Sequence, residues 1–214
     1  MQKALRRIRA PKPVHAPWTR LLFPVLALLL GVLLGVFAKW LDNLALDDAV
    51  SWHRLIGALD LGNVFSEFGV WLLLALALAV FSPGPVQAAL RVFLFFAGMC
   101  AAYHAWTVAF SGFDPAGYMR IWYALTLISP LLAVLCWYAK GRSVPSMVLG
   151  ALILTVLARC CFSTGWFYFD LNGPVNAAIF LLAAAALYAG PVQIGVDAAA
   201  GIALAVVLGP YMPI

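Results

Sequence analysis

Three ionisable side chains lie at matching depths in the apolar stretches of this chain: Glu67, His104 and Arg159. Taking a rise of about 1.5 Å per helical residue, each falls roughly 6–9 Å to one side of its segment's centre. An isolated charge facing lipid is costly, so such groups usually turn inward. Trp106, Trp122 and Trp166 fall near the same level. Together these six residues would form a polar pocket ringed by aromatics, able to hold a flat or apolar ligand and fix its polar ends. The competing reading is a structural ion pair between Glu67 and Arg159. A second pair is expected from turns of the same sequence. Gly84-Pro85-Val86-Gln87 recurs as Gly190-Pro191-Val192-Gln193. Four residues after each Gln stands an ionisable group, Arg91 in one case and Asp197 in the other. Equal depth and opposite sign predict an Arg91–Asp197 contact.

The elements that carry these groups follow from composition. Of 214 residues, 65% are hydrophobic and 10% are charged. A soluble domain carries about 25% charge, so lipid must be the main solvent of this surface. Seven apolar segments are expected to be helical spans, at about 21–39, 63–82, 86–110, 118–139, 145–166, 174–189 and 191–210. The fold class is therefore all-α, a polytopic transmembrane bundle. The sixth segment is short. Pro130 should interrupt the hydrogen bonding of the fourth. Gly31 and Gly35 form a GxxxG that permits close helix approach.

Charge sets the orientation. Six of the 13 Lys and Arg residues lie in residues 1–20: Lys3, Arg6, Arg7, Arg9, Lys12 and Arg20. With this basic arm in the cytoplasm, Arg91, Lys140 and Arg142 also fall inside. Seven of the eight acids fall toward the outside, Asp197 being the exception. That pattern predicts N-in and C-out. The arm is a topology signal rather than a nucleic-acid site. The bundle proper occupies 21–210, with residues 211–214 as a short tail. The loop at 40–62 is expected to hold an amphipathic helix on the outer surface, capped by Asp47 and Asp48. A variant turn, Gly173-Pro174-Val175-Asn176, opens the sixth segment. Two readings of the repeated turn stand: a habitual helix start, or a 3+1+3 parallel repeat pairing spans one to three with five to seven.

No HExxH, GxSxG, P-loop or EExxxR motif is present, and the four cysteines, Cys100, Cys136, Cys160 and Cys161, lack metal spacing. The expectation is no enzyme, no cofactor and no metal.

Several strings carry a resemblance: Ala38-Lys39-Trp40-Leu41-Asp42, Phe93-Leu94-Phe95-Phe96-Ala97-Gly98-Met99, Ser129-Pro130 leading to Cys136-Trp137-Tyr138-Ala139-Lys140-Gly141, and Phe167-Tyr168-Phe169-Asp170. Over residues 20–185 the chain resembles an uncharacterised family of small bacterial polytopic membrane proteins. The resemblance implies the bacterial inner membrane and brings no activity. In size and apolar character the chain looks like the substrate-binding membrane subunits of energy-coupling-factor vitamin transporters. Its 3+1+3 order is similar to that of nicotinamide riboside transporters. The expected function is a small-molecule transporter or a substrate-binding membrane subunit, with an ATPase or another membrane protein as partner. The rival readings are a non-catalytic membrane partner or assembly protein and, behind it, a membrane-embedded enzyme.

Overall fold

The structure, a computed structural model, describes residues 8–13 and 17–211. Lys3, Arg6 and Arg7 of the basic arm, and tail residues 212–214, lie outside the described residues. The helices are α1 (Thr19–Asp42), α2 (Ser51–Ala58), α3 (Leu61–Ser66), α4 (Phe68–Val80), α5 (Pro85–Trp106), α6 (Ala116–Ala139), α7 (Val144–Cys161), α8 (Pro174–Leu187) and α9 (Pro191–Leu208). A π-helical turn, Thr107–Ser111, extends α5. Strands β1 (Phe162–Gly165) and β2 (Tyr168–Leu171) form an antiparallel hairpin after α7.

The protein is an all-α membrane-type bundle with this one small hairpin. Among the described residues, five helical stretches are long and apolar enough to cross a bilayer: Thr19–Asp42, Pro85–Ser111, Ala116–Ala139, Val144–Cys161 and Pro191–Leu208. The expected second and sixth spans are shorter, at 13 and 14 residues. The second is cut at Glu67, whose backbone is extended (φ −88°, ψ 165°). The break strands the carbonyl of Phe65, which accepts the indole N–H of Trp71 at 2.9 Å. The fifth stops at Cys161, where the chain turns into the hairpin. Large apolar side chains face outward along whole helices. On α1 they include Leu21, Phe23, Val25, Leu26, Leu29 and Leu33. A surface of that kind suits hydrocarbon, not water.

Two helix pairs run parallel. Gln87 at the start of α5 reaches Arg20 at the start of α1, and Tyr103 near the end of α5 reaches Asp42 at the end of α1. The crossing between them is made by glycine. A Cβ on Gly31 would strike the Phe95 carbonyl oxygen, and one on Gly35 would lie 2.6 Å from that of Met99. From the other side, a Cβ on Gly98 would lie 2.5 Å from the Leu28 oxygen. The second pair is α7 and α9. Gly150 faces Asp197, Gly201 faces Leu154, and Thr164 beyond α7 donates to the Ala205 carbonyl at 3.1 Å. The short helices α4 and α8 pack on each other between the pairs, and α6 packs on α5, α4 and α7.

The helix-interior prolines are compensated. Pro24 cannot donate to Arg20, whose carbonyl takes the Gln87 amide instead at 3.4 Å. Pro130 cannot donate to Thr126, whose carbonyl takes the Ser129 hydroxyl at 2.8 Å.

At the end of the bundle nearest the arm, cations cover helix C-termini. Arg9 donates to the carbonyls of Trp137 (2.6 Å) and Val80 (2.8 Å), ending α6 and α4, and lies over the Trp137 ring. Lys140 donates to Ala186 and Arg142 to Ala189, at the end of α8. Desolvation, and then the Arg9 and Lys12 charges, pulls the Lys140 amine below its ordinary value. Cations at these ends meet both the orphan carbonyls and the negative pole of each helix.

The amphipathic helix of the 40–62 loop is present as α2, with Trp52 and Leu55 exposed. Its cap differs from expectation. Val50 holds the N-cap position, while Asp47 instead closes a turn, its carboxylate accepting from the Ala49 N–H at 2.9 Å.

Candidate functional site

The bundle end away from the arm holds a polar constellation around a cavity. It begins with the last turn of α1. Lys39 and Asp42 are three residues apart, so they share a helix face. Their charged atoms are 3.8 Å apart. The Asp42 carboxylate is held from two sides. Tyr103 of α5 donates its hydroxyl to Oδ2 at 2.8 Å, and the hydroxyl of Ser66 of α3 lies 3.3 Å from Oδ1, its one hydrogen shared with the nearer Gly62 carbonyl at 2.9 Å. The Lys39 amine lies over the rings of Tyr103 (5.2 Å) and Phe113 (5.8 Å). Lys39 is 7% exposed. No acceptor among the described residues lies within hydrogen-bonding distance of its Nζ, since Asp42 stands at ion-pair distance only.

Local geometry builds the walls. The π-turn after α5 widens the helix, a departure frequent at functional sites. Within it the Thr107 hydroxyl donates back to the Tyr103 carbonyl at 2.8 Å. Gly112 then takes a left-handed conformation (φ +70°), and the chain reverses so that Phe113 covers Lys39. Opposite, Asp60 adopts a left-handed conformation (φ 51°) to open α3, and both its carboxylate oxygens accept from the Asn63 amide at 3.0 Å. Between these walls lies a half-open cavity of about 670 Å³, lined by Lys39, Asp42, Asp60, Asn63, Ser66, Tyr103, Phe113 and Tyr118, with Leu41, Leu44, Leu46 and Ile56. A narrow pocket of about 20 Å³ shares Asp42, Ser66, Tyr103 and Tyr118 with this cavity and is lined by Phe65, Trp71 and Trp122. Phe65, Phe68, Trp71 and Trp122 form an aromatic cluster there, packed edge-on and tilted at centroid separations of 4.7–6.1 Å.

The six residues expected to form one pocket have different partners. His104 donates to or accepts from the Tyr123 hydroxyl at 2.6 Å and lies 3.8 Å from Asp114, between α5 and α6. Arg159 donates to the carbonyl (3.0 Å) and hydroxyl (2.7 Å) of Thr164, at the far side of the bundle by α9. Glu67 lines a small crevice with Asn63, Asn172 and Asn176. No Glu67–Arg159 ion pair occurs among the described residues. Trp122 is buried in the aromatic cluster beside the cavity, Trp106 packs on Phe110, and Trp166 is exposed at the hairpin tip. The six residues therefore make their contacts with different elements.

The Arg91–Asp197 contact is also absent. The two residues belong to different helix pairs. Arg91 lies over the Phe23 ring of α1, 4.6 Å from its centre. Asp197 is fully buried against Gly150 and accepts from the Gln193 amide one turn before it.

Sequence reasoning missed Lys39 and Asp42 as a site. A signal was present: Lys39 is one of few basic residues on a side rich in acids, three positions from an aspartate. A second cavity of about 250 Å³ between α4, α5, α6 and α7 is lined almost wholly by apolar groups. Its one hydroxyl, Ser129, already serves Thr126, so it offers no directing group.

No protein-family model, no curated protein and no solved structure matches this chain.

Proposed function

We propose that this protein is a small-molecule transporter, or the substrate-binding membrane subunit of one, with the Lys39–Asp42 cavity as its ligand site. The observation that carries this reading is the cavity itself: about 670 Å³, a size suited to a metabolite, with a charge pair at its edge whose lysine side chain is largely buried. A scaffold protein has no need to keep a lysine buried beside an open cavity. The reading involves no covalent chemistry and no cofactor.

In this proposal the protein sits in a bacterial inner membrane with its arm end in the cytoplasm, so the cavity opens outward. α4 and α8 complete seven spans, their short lengths extended by the non-helical residues that flank them. The two parallel pairs, α1–α5 and α7–α9, with α4 and α8 between them, fit a 3+1+3 repeat with α6 as connector. Transport then requires the aromatic cluster of Phe65, Phe68, Trp71 and Trp122, which lies beside the cavity, to part.

Reporter fusions in the 43–50 loop and after Arg142 test the orientation. An external signal at the first and a cytoplasmic one at the second is expected; the reverse overturns it. The site is tested by a thermal-shift screen of vitamins, nucleosides and amino acids on purified protein. A ligand near 100 times its Kd should raise stability by about 2.7 kcal/mol through mass action. Tyr118→Ala, which alters the cavity wall, should weaken that ligand without unfolding the protein. A hit indifferent to Tyr118 and its neighbours would move the site elsewhere. Co-purification with an ATPase pair separates the subunit reading from a self-standing transporter.

A further inference from the structure

The geometry points to Lys39 as an oxyanion anchor: the ligand of this cavity carries a carboxylate or phosphate group that binds the Lys39 ammonium, on a body that packs among Tyr103, Phe113 and Tyr118. This inference rests on the ligand-site reading above and goes further by naming the chemistry.

The argument starts from burial. An ammonium carries three N–H donors and no acceptor. Lys39 is more than nine-tenths buried, yet its amine has no hydrogen-bond acceptor among the described residues. Asp42 stands 3.8 Å away, and Asp42 is itself occupied: Tyr103 donates to one oxygen and the Ser66 hydroxyl lies beside the other. The carboxylate thus steadies the lysine without saturating it. The rings of Tyr103 and Phe113 contribute attraction but fill no donor position. The stem of Lys39 is buried, while its amine faces the half-open cavity, so whatever fills that cavity, water or ligand, completes its donors. The cavity is where the completing group would stand, because Lys39 lines it. Asp60 is a weak opponent of an anion there. It is exposed at the rim and already engaged by Asn63. An oxyanion is the group whose charge and lone pairs match an ammonium directly. The apolar and aromatic lining supplies room for a body behind it.

Such an oxyanion has two sources, a free metabolite or a lipid headgroup, and the chemistry at Lys39 is the same for both. The test uses purified protein in maltoside micelles. Phenyl phosphate and benzoate are the free probes, benzyl alcohol the neutral control, and added phosphatidylglycerol the lipid probe. The expected result is a saturable rise in Tm with the oxyanions and none with benzyl alcohol. A free-ligand site responds to phenyl phosphate or benzoate with no competition from phosphatidylglycerol. A headgroup site responds to phosphatidylglycerol, and phenyl phosphate competes with it. Lys39→Met should weaken the responding probe by about 10–100-fold. Without probe, Lys39→Met should lower the Tm modestly, because it leaves the partly exposed Asp42 carboxylate without its cation. Lys39→Gln serves as the second variant and should behave alike. A lysine that only supports the fold would lower the Tm in both variants and leave probe binding unchanged. That result overturns the inference, as does a flat response to all oxyanions. A neutral ligand from the screen that depends on Tyr118 but not on Lys39 would leave the transporter reading standing and overturn this one alone.

Discussion

Gly31→Leu is expected to leave little or no folded protein in detergent extracts. The reason is the contact between α1 and α5. At Gly31 the opposing atom is the Phe95 carbonyl oxygen, and at Gly98 it is the Leu28 oxygen, 2.5 Å from where a Cβ would stand. Backbone cannot rotate away as a side chain can, so the helices must separate. Overpacking a core costs about 1–3 kcal/mol when side chains can yield. Here they cannot, and the cost should reach or exceed the top of that range. Separation would also pull Tyr103 from Asp42 and so dismantle the cavity wall. Gel filtration and tryptophan fluorescence of the extracted protein measure the outcome. Gly117→Leu is the control, since nothing lies within 4 Å of its Cβ position. Equal behaviour of the two variants would mean that α1 and α5 do not cross as closely as described.

The second large effect is expected at Arg9. Its guanidinium joins the ends of α4 and α6 by two hydrogen bonds and stacks 4.4 Å from the Trp137 ring centre. Burial lowers its pKa from the usual arginine value, but the group stays charged. Hydrogen bonds from a charged donor are worth about 1.5–3 kcal/mol each, and a stacked cation adds about 0.5–2. After the entropy of holding the arm, Arg9→Ala should destabilise by about 2–4 kcal/mol. Arg9→Lys should recover only part of that, because an ammonium lacks the planar fork that serves two carbonyls at once. Thermal unfolding in micelles reads both. An Arg9→Ala protein as stable as wild type would show that the arm merely rests on the bundle.

Much of this architecture was legible in the sequence, and the limit has a physical cause. Length and apolarity located seven of the helices, five of them long enough to cross a bilayer. The break at Glu67 was hidden because a long apolar run follows it; Gly62, Asn63 and Ser66, weak helix formers, were its only hint. The hairpin at 162–171 was hidden as well, since Phe162 is β-prone but equally at home at a membrane interface. Depth could be counted at about 1.5 Å per residue. Rotation could not be counted. Each residue turns the helix by about 100°, so a small error in packing face sends Arg91 to Phe23 instead of Asp197. The GPVQ turns were legible as helix starts. What was not legible is that one Gln repairs a proline in another helix, while the other serves Asp197. The Lys39–Asp42 pair was in plain view but read as topology, because a single lysine at a helix end has a routine explanation.

The tether at Arg9 also fixes an order of events during synthesis. Arg9 is made early, yet its partners Val80 and Trp137 follow it by 71 and 128 residues. At about 5–20 residues per second, the second partner emerges roughly 6–26 s after the arm. Through that interval the arginine has no site to occupy and stays in water. Docking becomes available only once α6 is complete, and Lys140, which follows it at once, still waits for Ala186. The ribosome therefore delivers the clasp first and its eyelets last. Closure of the arm marks a chain made through the end of α6, and a chain stalled before Trp137 would keep Arg9 exposed.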